Sequence, residues 1–455
     1  MTDIIFSFDT EDFTSCSAAD AILREAEILR EEGVRGCFCM VGLLAEQLEN
    51  WKRDDVLAAL KHHEIATHSY GHTLHPTINE YTDIQDFDEA RAEVLRQETE
   101  ALRLIKHATL VDTIPAACPP GNQKSYVAMY TYADMGIPIY ADTVCDTQDG
   151  RGVYYCNIFH VRYTRSLEKM FLYKGEQGRK AAGNPDDMQK LLDELAQQKR
   201  AIIFTHPNAA MFSEFWDAVN YHKVNSCQYG QWKECRRRPE EETEAFYENI
   251  RMFVRLIKQD KRFRITTYSE LASELASEGR RVVTLGDIPL LHKKLEENFF
   301  PVTEPCSLSI ADMFLACRDL LTGKTEHVCG KVYGFLEHPA AVSGKVILSA
   351  EAIKESAEQM DTSGFLPHAI SVGGCVIGPG DWLRAAMGVL CGMKEVALSP
   401  GSQLPSLDVL PQLKDCSFKG QWQQSDEFED KYLSERLRLQ AWTMRTLRTR
   451  KGSVP

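Results

Sequence analysis

The sequence predicts an α/β fold, a parallel sheet wrapped by helices, followed by a smaller α-rich region. Three observations predict it. Strand-like apolar runs alternate with amphipathic helices from Ile4 to Thr267. Residues able to bind metal or move protons fall just after the predicted strands, which in a closed parallel barrel is a single rim. The alternation then fades after Glu270-Leu271. At 455 residues the chain is too long for one ordinary core, so two or more domains are expected.

Taken in order, Ile4 to Phe8 is a short apolar strand, and Ala18 to Glu32 repeats Ala, Ile and Leu at helical spacing until Gly33 stops it. Gly36 to Val41 is strand-like, Asp54 to His62 helical, and Glu64 to Thr67 a strand running into a histidine pair. Helix Asp86 to His107, strand Thr109 to Ile114, helix Ser125 to Met135 and strand Ile137 to Tyr140 continue the pattern. Helix Asp186 to Lys199, strand Ala201 to Thr205, helix Glu240 to Lys258 and strand Phe263 to Thr267 complete it. Repeated βα units favour a parallel sheet, closed or open.

Ser277 to Arg281 reads as a hinge. Beyond it, Ala311-Asp312-Met313-Phe314-Leu315-Ala316 and Gly380-Asp381-Trp382-Leu383-Arg384-Ala385 are similar pieces, each a plausible capped helix start. Residues 282–455 are therefore expected to form an α-rich domain, either of two related repeats or with two coincidentally similar helices. The stretch Leu433 to Lys451 carries five Arg and one Lys among Leu, Trp and Met. A helix docked on its own acidic protein fits that pattern better than a membrane-surface helix.

Composition excludes several function classes. The apolar fraction of 44% with 26% charged residues is that of a soluble globular protein. A net charge of −14 argues against nucleic-acid binding through bulk electrostatics. No uninterrupted apolar stretch is long enough to span a bilayer, and the N-terminus enters a strand without the basic and apolar regions of a secretory signal. The 14 cysteines sit mostly in apolar runs such as Cys37-Phe38-Cys39-Met40-Val41 and lack paired CxxC spacing. Reduced, buried thiols in a cytoplasmic protein are expected.

The chemistry centres on His68-Ser69-Tyr70-Gly71-His72 and the acidic loop Asp9-Thr10-Glu11-Asp12. Two imidazoles four residues apart can approach one ion, and a carboxylate from another strand end completes a set with open coordination positions. A lone His-x-x-x-His is weak evidence, since two surface histidines on a helix satisfy it. The acidic loop upstream and His206 at a later strand end raise its weight. Bland alternatives exist: Asp9 as a helix N-cap, His206 before Pro207 as a turn residue, Cys37 and Cys39 as core, and Arg236-Arg237-Arg238 as an exposed loop cluster.

Ser7-Phe8-Asp9-Thr10-Glu11-Asp12, Gly36-Cys37-Phe38-Cys39-Met40-Val41-Gly42 and His63-Glu64-Ile65-Ala66-Thr67-His68-Ser69-Tyr70-Gly71-His72 resemble the polysaccharide deacetylase superfamily (NodB homology, carbohydrate esterase 4). The resemblance covers residues 1–275 and implies a distorted (β/α)7 barrel that hydrolyses N-acyl or related amide bonds with a divalent metal, commonly zinc. It makes Asp9 the general base, His68 and His72 metal ligands, and His206 the general acid. The family's adjacent Asp-Asp pair is spread here into Asp-Thr-Glu-Asp, as in a subgroup with a DxED loop. Asp12 is taken as the third ligand, with Glu11 as the alternate. Pro120 and Gly121 are expected beside the substrate, the turn's backbone helping to hold an oxyanion. Asp142, or else Asp146, is expected to orient His206.

One departure stands out. Many members carry an arginine ahead of this Pro turn, contacting the catalytic carboxylate, where this chain has Cys118. Loss of that cation should raise the pKa of Asp9 unless Arg162 replaces it. The expected function is metal-dependent hydrolysis of a C–N amide bond in an N-acetylated sugar or related small amide. The alternative is a catalytically impaired barrel acting as a binding or regulatory protein through its C-terminal domain. The expected partners are a small-molecule or glycan substrate and no nucleic acid, with oligomerisation through the C-terminal domain left open.

Overall fold

The computed structural model describes residues 1–172, 183–221, 223, 227–418 and 424–447. Two compact units emerge, one comprising 1–151, 160–277 and 417–431, the other 152–159, 278–416 and 432–455. The boundary at 277/278 lies in the stretch read as a hinge, but two short segments of chain belong to the unit that sequence position would not assign them to.

The first unit is a closed parallel barrel. Its sheet comprises β1 (Thr2–Thr10), β2 (Cys37–Met40), β3 (Glu64–Thr67), β4 (Ala116–Ala117), β5 (Ile139–Asp142), β7 (Ile158–Ser166), β8 (Arg200–Thr205) and β9 (Phe263–Ile265), whereas β6 (Val153–Tyr155) lies in the segment assigned to the second unit. The ring runs β1-β2-β3-β4-β5-β7-β8 and closes on β1. Every residue of β1 is buried, as expected for a parallel strand covered on both faces. One edge of β1 pairs with β8 from Asp3↔Arg200 to Phe8↔Thr205. The other edge is shared, by β9 along Thr2–Ile4 and by β2 along Ser7–Thr10.

That sharing corrects the strand roster. The ring holds seven strands, but the expected strand at Phe263 lies against β1 outside the ring, and β7, absent from the sequence reading, takes its place. The expected strand Thr109 to Ile114 does not form. Helix Phe87–Thr109 runs through its start and ends on Leu110 in the left-handed conformation (φ 58°), and the strand is β4, reduced to Ala116–Ala117. A further helix, Gly42–Asn50, follows β2. Because the ring is parallel, the C-terminal ends of β1, β3, β4, β5, β7 and β8 open on one rim.

The second unit is α-rich with short antiparallel pairs. Strand Val282–Thr284, helix Ile288–Glu297, the Val302↔Leu308 bridge, helix Ile310–Leu321 and strand Glu326–Val328 follow one another, the first strand pairing with the last. The same order recurs in Val346–Ser349, Ala350–Gln359, the Ile370–Val372 and Cys375–Ile377 hairpin, Pro379–Leu390 and Glu395–Leu398. The two similar sequence pieces start the equivalent central helices. Phe314, Trp382 and Trp442 anchor the core, with Phe314 4.7 Å from Trp382 and 5.6 Å from Trp442 between ring centroids. The basic C-terminal helix is Leu433–Leu439, shorter than expected. Its Arg438 bonds the carbonyls of Lys414 and Cys416, and Arg445 pairs with Glu278, while residues 448–451 of the expected helix lie outside the described residues. Among the described residues no helix is long and apolar enough to cross a membrane.

Candidate metal centre and acid–base pair

The site is assembled from three strand ends. β1 delivers Asp9 and the loop carrying Glu11, β3 runs into His68, and β8 into His206. The His68–His72 segment is not a helix: Ser69 and His72 both adopt positive φ (70° and 52°), with the His72 N–H donating to Ser69 Oγ at 3.2 Å. Left-handed backbone at two non-glycine residues costs about 1–2 kcal/mol each. The turn brings the two rings to 5.2 Å between centroids.

Glu11 is the carboxylate that meets them. Its Oε2 lies 2.7 Å from His72 Nε2 and 3.2 Å from His68 Nε2, and its Oε1 accepts from Trp216 Nε1 at 3.0 Å. Among the described residues, Glu11, His68 and His72 are the one group of three such ligands whose donor atoms all lie within 4.8 Å of one another. Two imidazole Nε2 atoms converging on one carboxylate oxygen form a donor set that fits a divalent ion such as zinc. Asp217 Oδ2 is 3.7 Å from His72 Nδ1, the position from which a carboxylate orients a ligating imidazole.

Asp12, expected as third ligand, is not in this group. Its Oδ1 turns back on its own loop, accepting from Thr14 N at 3.0 Å and Thr14 Oγ1 at 2.6 Å.

Asp9 and His206 face each other beside the histidine pair, with Asp9 Oδ2 3.6 Å from His206 Nε2. Burial pushes the Asp9 carboxyl up to about 7, with Cys39 and Glu11 adding to it and His68 and His206 opposing. Burial alone would lower the His206 pKa, but Glu11, Glu168 and Asp9 hold it well above its ordinary value. Burial works against ionisation of Glu11 too, yet His72, His206 and His68 keep it well below the usual carboxylate range.

The group that orients His206 is Glu168, at the start of a short helix directly after β7. Its Oε1 accepts from both the backbone N–H of His206, at 2.9 Å, and Nδ1 of the same residue. Asp142 is elsewhere: it accepts from Val144 N and lies 3.3 Å from His160 Nδ1. Asp146 accepts from the Gln148 N–H and pairs with Arg162 at 3.2 Å. Sequence reasoning missed Glu168 because it missed β7, whose end places that carboxylate on the rim.

Arg162 therefore does not replace the missing arginine. A phenol stands there instead: Tyr163 OH donates to Asp9 Oδ1 at 2.8 Å and lies 3.0 Å from Ser7 Oγ. Cys118 packs in the barrel interior with its Sγ 3.0 Å from Cys39 Sγ, a core role consistent with the reading of Cys39. Pro120 and Gly121 form a tight turn beyond β4, Gly121 at φ 50°. The arginine cluster is neutralised, Arg236 by Glu214, Arg237 by Glu234 and Arg238 by Glu242.

No known family model matches the chain, and no curated protein does. Similar solved structures include a Mycobacterium smegmatis protein assigned by prediction to the polysaccharide deacetylases, 13% identical over 61% of this chain and 91% of that one, TM-score 0.40. Others are 4-α-glucanotransferase of Thermococcus litoralis (14%, 60% and 40%, TM-score 0.39) and a family 4 carbohydrate esterase of Streptomyces lividans (13%, 58% and 92%, TM-score 0.32). Likeness at this level assigns no activity.

Proposed function

We propose that this chain is a metal-dependent hydrolase of C–N amide bonds, acting on an N-acetylated sugar or a related small amide. The observation that carries the reading is Glu11 Oε2 held between His68 Nε2 and His72 Nε2, with Asp9 and His206 beside them. Glu11, His68 and His72 would hold the divalent cation, with zinc the expected ion, and when bound it would supply Lewis-acid polarisation of the amide carbonyl and a lowered water pKa. Asp9 takes the proton from the attacking water, a task matched to a carboxyl whose pKa burial has moved to about 7. His206, held by Glu168 and facing Asp9, gives a proton to the departing nitrogen, without which an amide nitrogen leaves poorly. Glu168 fixes the tautomer by accepting from Nδ1, so that Nε2 faces the reaction. The Pro120-Gly121 turn borders the substrate.

The test is metal content by elemental analysis together with hydrolysis of N-acetylglucosamine oligomers, acetanilides and cyclic amides. Glu11→Ala, His68→Ala and His72→Ala should each lose metal and hydrolysis together, Asp12→Ala should retain metal, and Asp9→Asn should retain metal without turnover. Unchanged metal content in His68→Ala sinks the reading.

A further inference from the structure

The turn that carries both imidazoles is held by groups from two other elements. Ser69 and His72 sit at φ 70° and 52°, conformations that non-glycine residues keep only where the surroundings impose them. The His68 N–H donates to Met40 O at 2.8 Å, and the first two N–H groups of helix Gly42–Asn50 donate to Ser69 O and Tyr70 O, both at 3.0 Å. Only a glycine fits at the start of that helix: a Cβ on Gly42 would come to 2.9 Å from Ala101 Cα and 3.3 Å from Tyr70 O.

The N–H of Tyr70, midway between the two histidines, is taken by a side chain. It donates to Glu98 Oε1 at 3.2 Å, and Glu98 Oε2 accepts from Tyr132 OH at 2.8 Å. Both carboxyl oxygens are therefore engaged, and the side chain cannot turn away from Tyr70 without breaking a bond. Glu98 is 1% exposed on helix Phe87–Thr109, whose buried face is otherwise apolar around it, with Val94, Ala101, Leu104 and Ile105. Burying a carboxyl at such a position costs more than burying a leucine. What a leucine lacks is an acceptor for Tyr70.

Resting on the metal centre proposed above, we infer that Glu98 is a positioning residue for it, acting through the backbone of Tyr70. Glu98 on one helix and the Gly42–Leu43 amides on another grip the Ser69–Tyr70 backbone, and that grip holds the strained turn that aims His68 and His72 at one point. Without the acceptor, the Tyr70 N–H is left buried and unpaired, and the turn escapes its strain by separating the two imidazoles.

Zinc affinity of the full chain, measured by competition with a chromophoric chelator well below the thermal midpoint of each zinc-free protein, tests this. Glu98→Leu should bind zinc roughly tenfold or more weakly, the usual scale for losing a group that orients metal ligands. Glu98→Gln should bind zinc as wild type does, because its amide oxygen still accepts from Tyr70 and its NH2 can donate to the Tyr132 oxygen. Rescue by glutamine but not leucine separates positioning from mere filling of the helix interface. Gly42→Ala, which crowds Tyr70 from the other helix, should weaken zinc as well, and it decides the matter if the leucine variant does not fold. Wild-type affinity in a folded Glu98→Leu overturns the inference, as does a glutamine variant as weak as the leucine one, or unchanged affinity in Gly42→Ala where leucine fails to fold. A wild type that binds no zinc removes the proposed centre and this inference together, whereas zinc bound equally by wild type and variants removes the inference alone.

Discussion

At the scale of single residues, two carboxyls outside the metal group, Glu98 fully buried and Glu168 partly so, show how environment assigns roles. Glu98 lies within helix Phe87–Thr109, accepting from Tyr132 OH at 2.8 Å and Tyr70 N at 3.2 Å. Burial raises its pKa from 4.5 to about 7 despite those hydrogen bonds. Between those values the folded chain binds the proton more tightly than the unfolded one, so this contribution is present in full below pH 4.5 and is lost as pH rises through 7. Glu98→Gln, neutral throughout, should flatten the fall in stability between pH 5 and pH 8 by up to about 3 kcal/mol. Urea unfolding at the two pH values checks it, and parallel pH dependences in the two proteins would refute it. Glu168 works differently, since its carboxylate stays ionised while it holds His206. Glu168→Gln should lower kcat roughly a hundredfold with metal content unchanged, the usual scale for losing a correctly held acid–base group. A variant with wild-type kcat would remove Glu168 from the proposal.

Elements are decided by their ends. Helix Phe87–Thr109 starts where Asp86 accepts from Asp88 N and Glu89 N, and stops at Leu110, an exposed leucine forced to φ 58°. A left-handed C-terminal position favours glycine, which has no Cβ to clash. Leu110→Gly should therefore raise stability by about 1 kcal/mol, read as a higher urea midpoint with an unchanged slope. A lower midpoint would show that Leu110 contributes contacts outweighing its backbone strain. The same boundary explains the misplaced strand, because Thr109-Leu110-Val111-Asp112-Thr113-Ile114 is rich in β-branched residues yet Leu110 is 71% exposed. Local propensity favoured a strand there, but no sheet edge was available to bury it. β7 is the reverse case: His160, Arg162 and Thr164 interrupt the apolar run of Ile158 to Ser166, so composition hid a strand that the barrel requires for closure.

At the scale of the whole molecule, the chain carries two cores. The second is built on Trp382, which is fully buried, packs on Phe314 and donates from Nε1 to Ser356 Oγ at 2.8 Å. Trp382→Ala should cost about 3–5 kcal/mol in that core alone. Calorimetry should then show one transition moved down and the other, with metal binding, left in place. A common shift of all unfolding would mean that the two cores melt as one. The recurring strand–helix–hairpin–helix–strand order places Asp312 and Asp381 at equivalent helix starts, both nearly fully buried. Only short sequence matches announced that order, because equivalent core positions accept different apolar residues as long as volume and pattern are kept.

What the sequence determined by itself was the βα alternation and the rim positions of Asp9, His68, His72 and His206, since strand ends are written in local pattern and parallel pairing gathers them on one side. Tertiary structure alone decided which carboxylate joins the histidines, which strand closes the ring and which group holds His206. Glu11 over Asp12, β7 over β9 and Glu168 over Asp142 are each choices of direction and distance. Those depend on how the backbone turns after a strand and on how far a side chain reaches, and neither is carried by spacing along the chain.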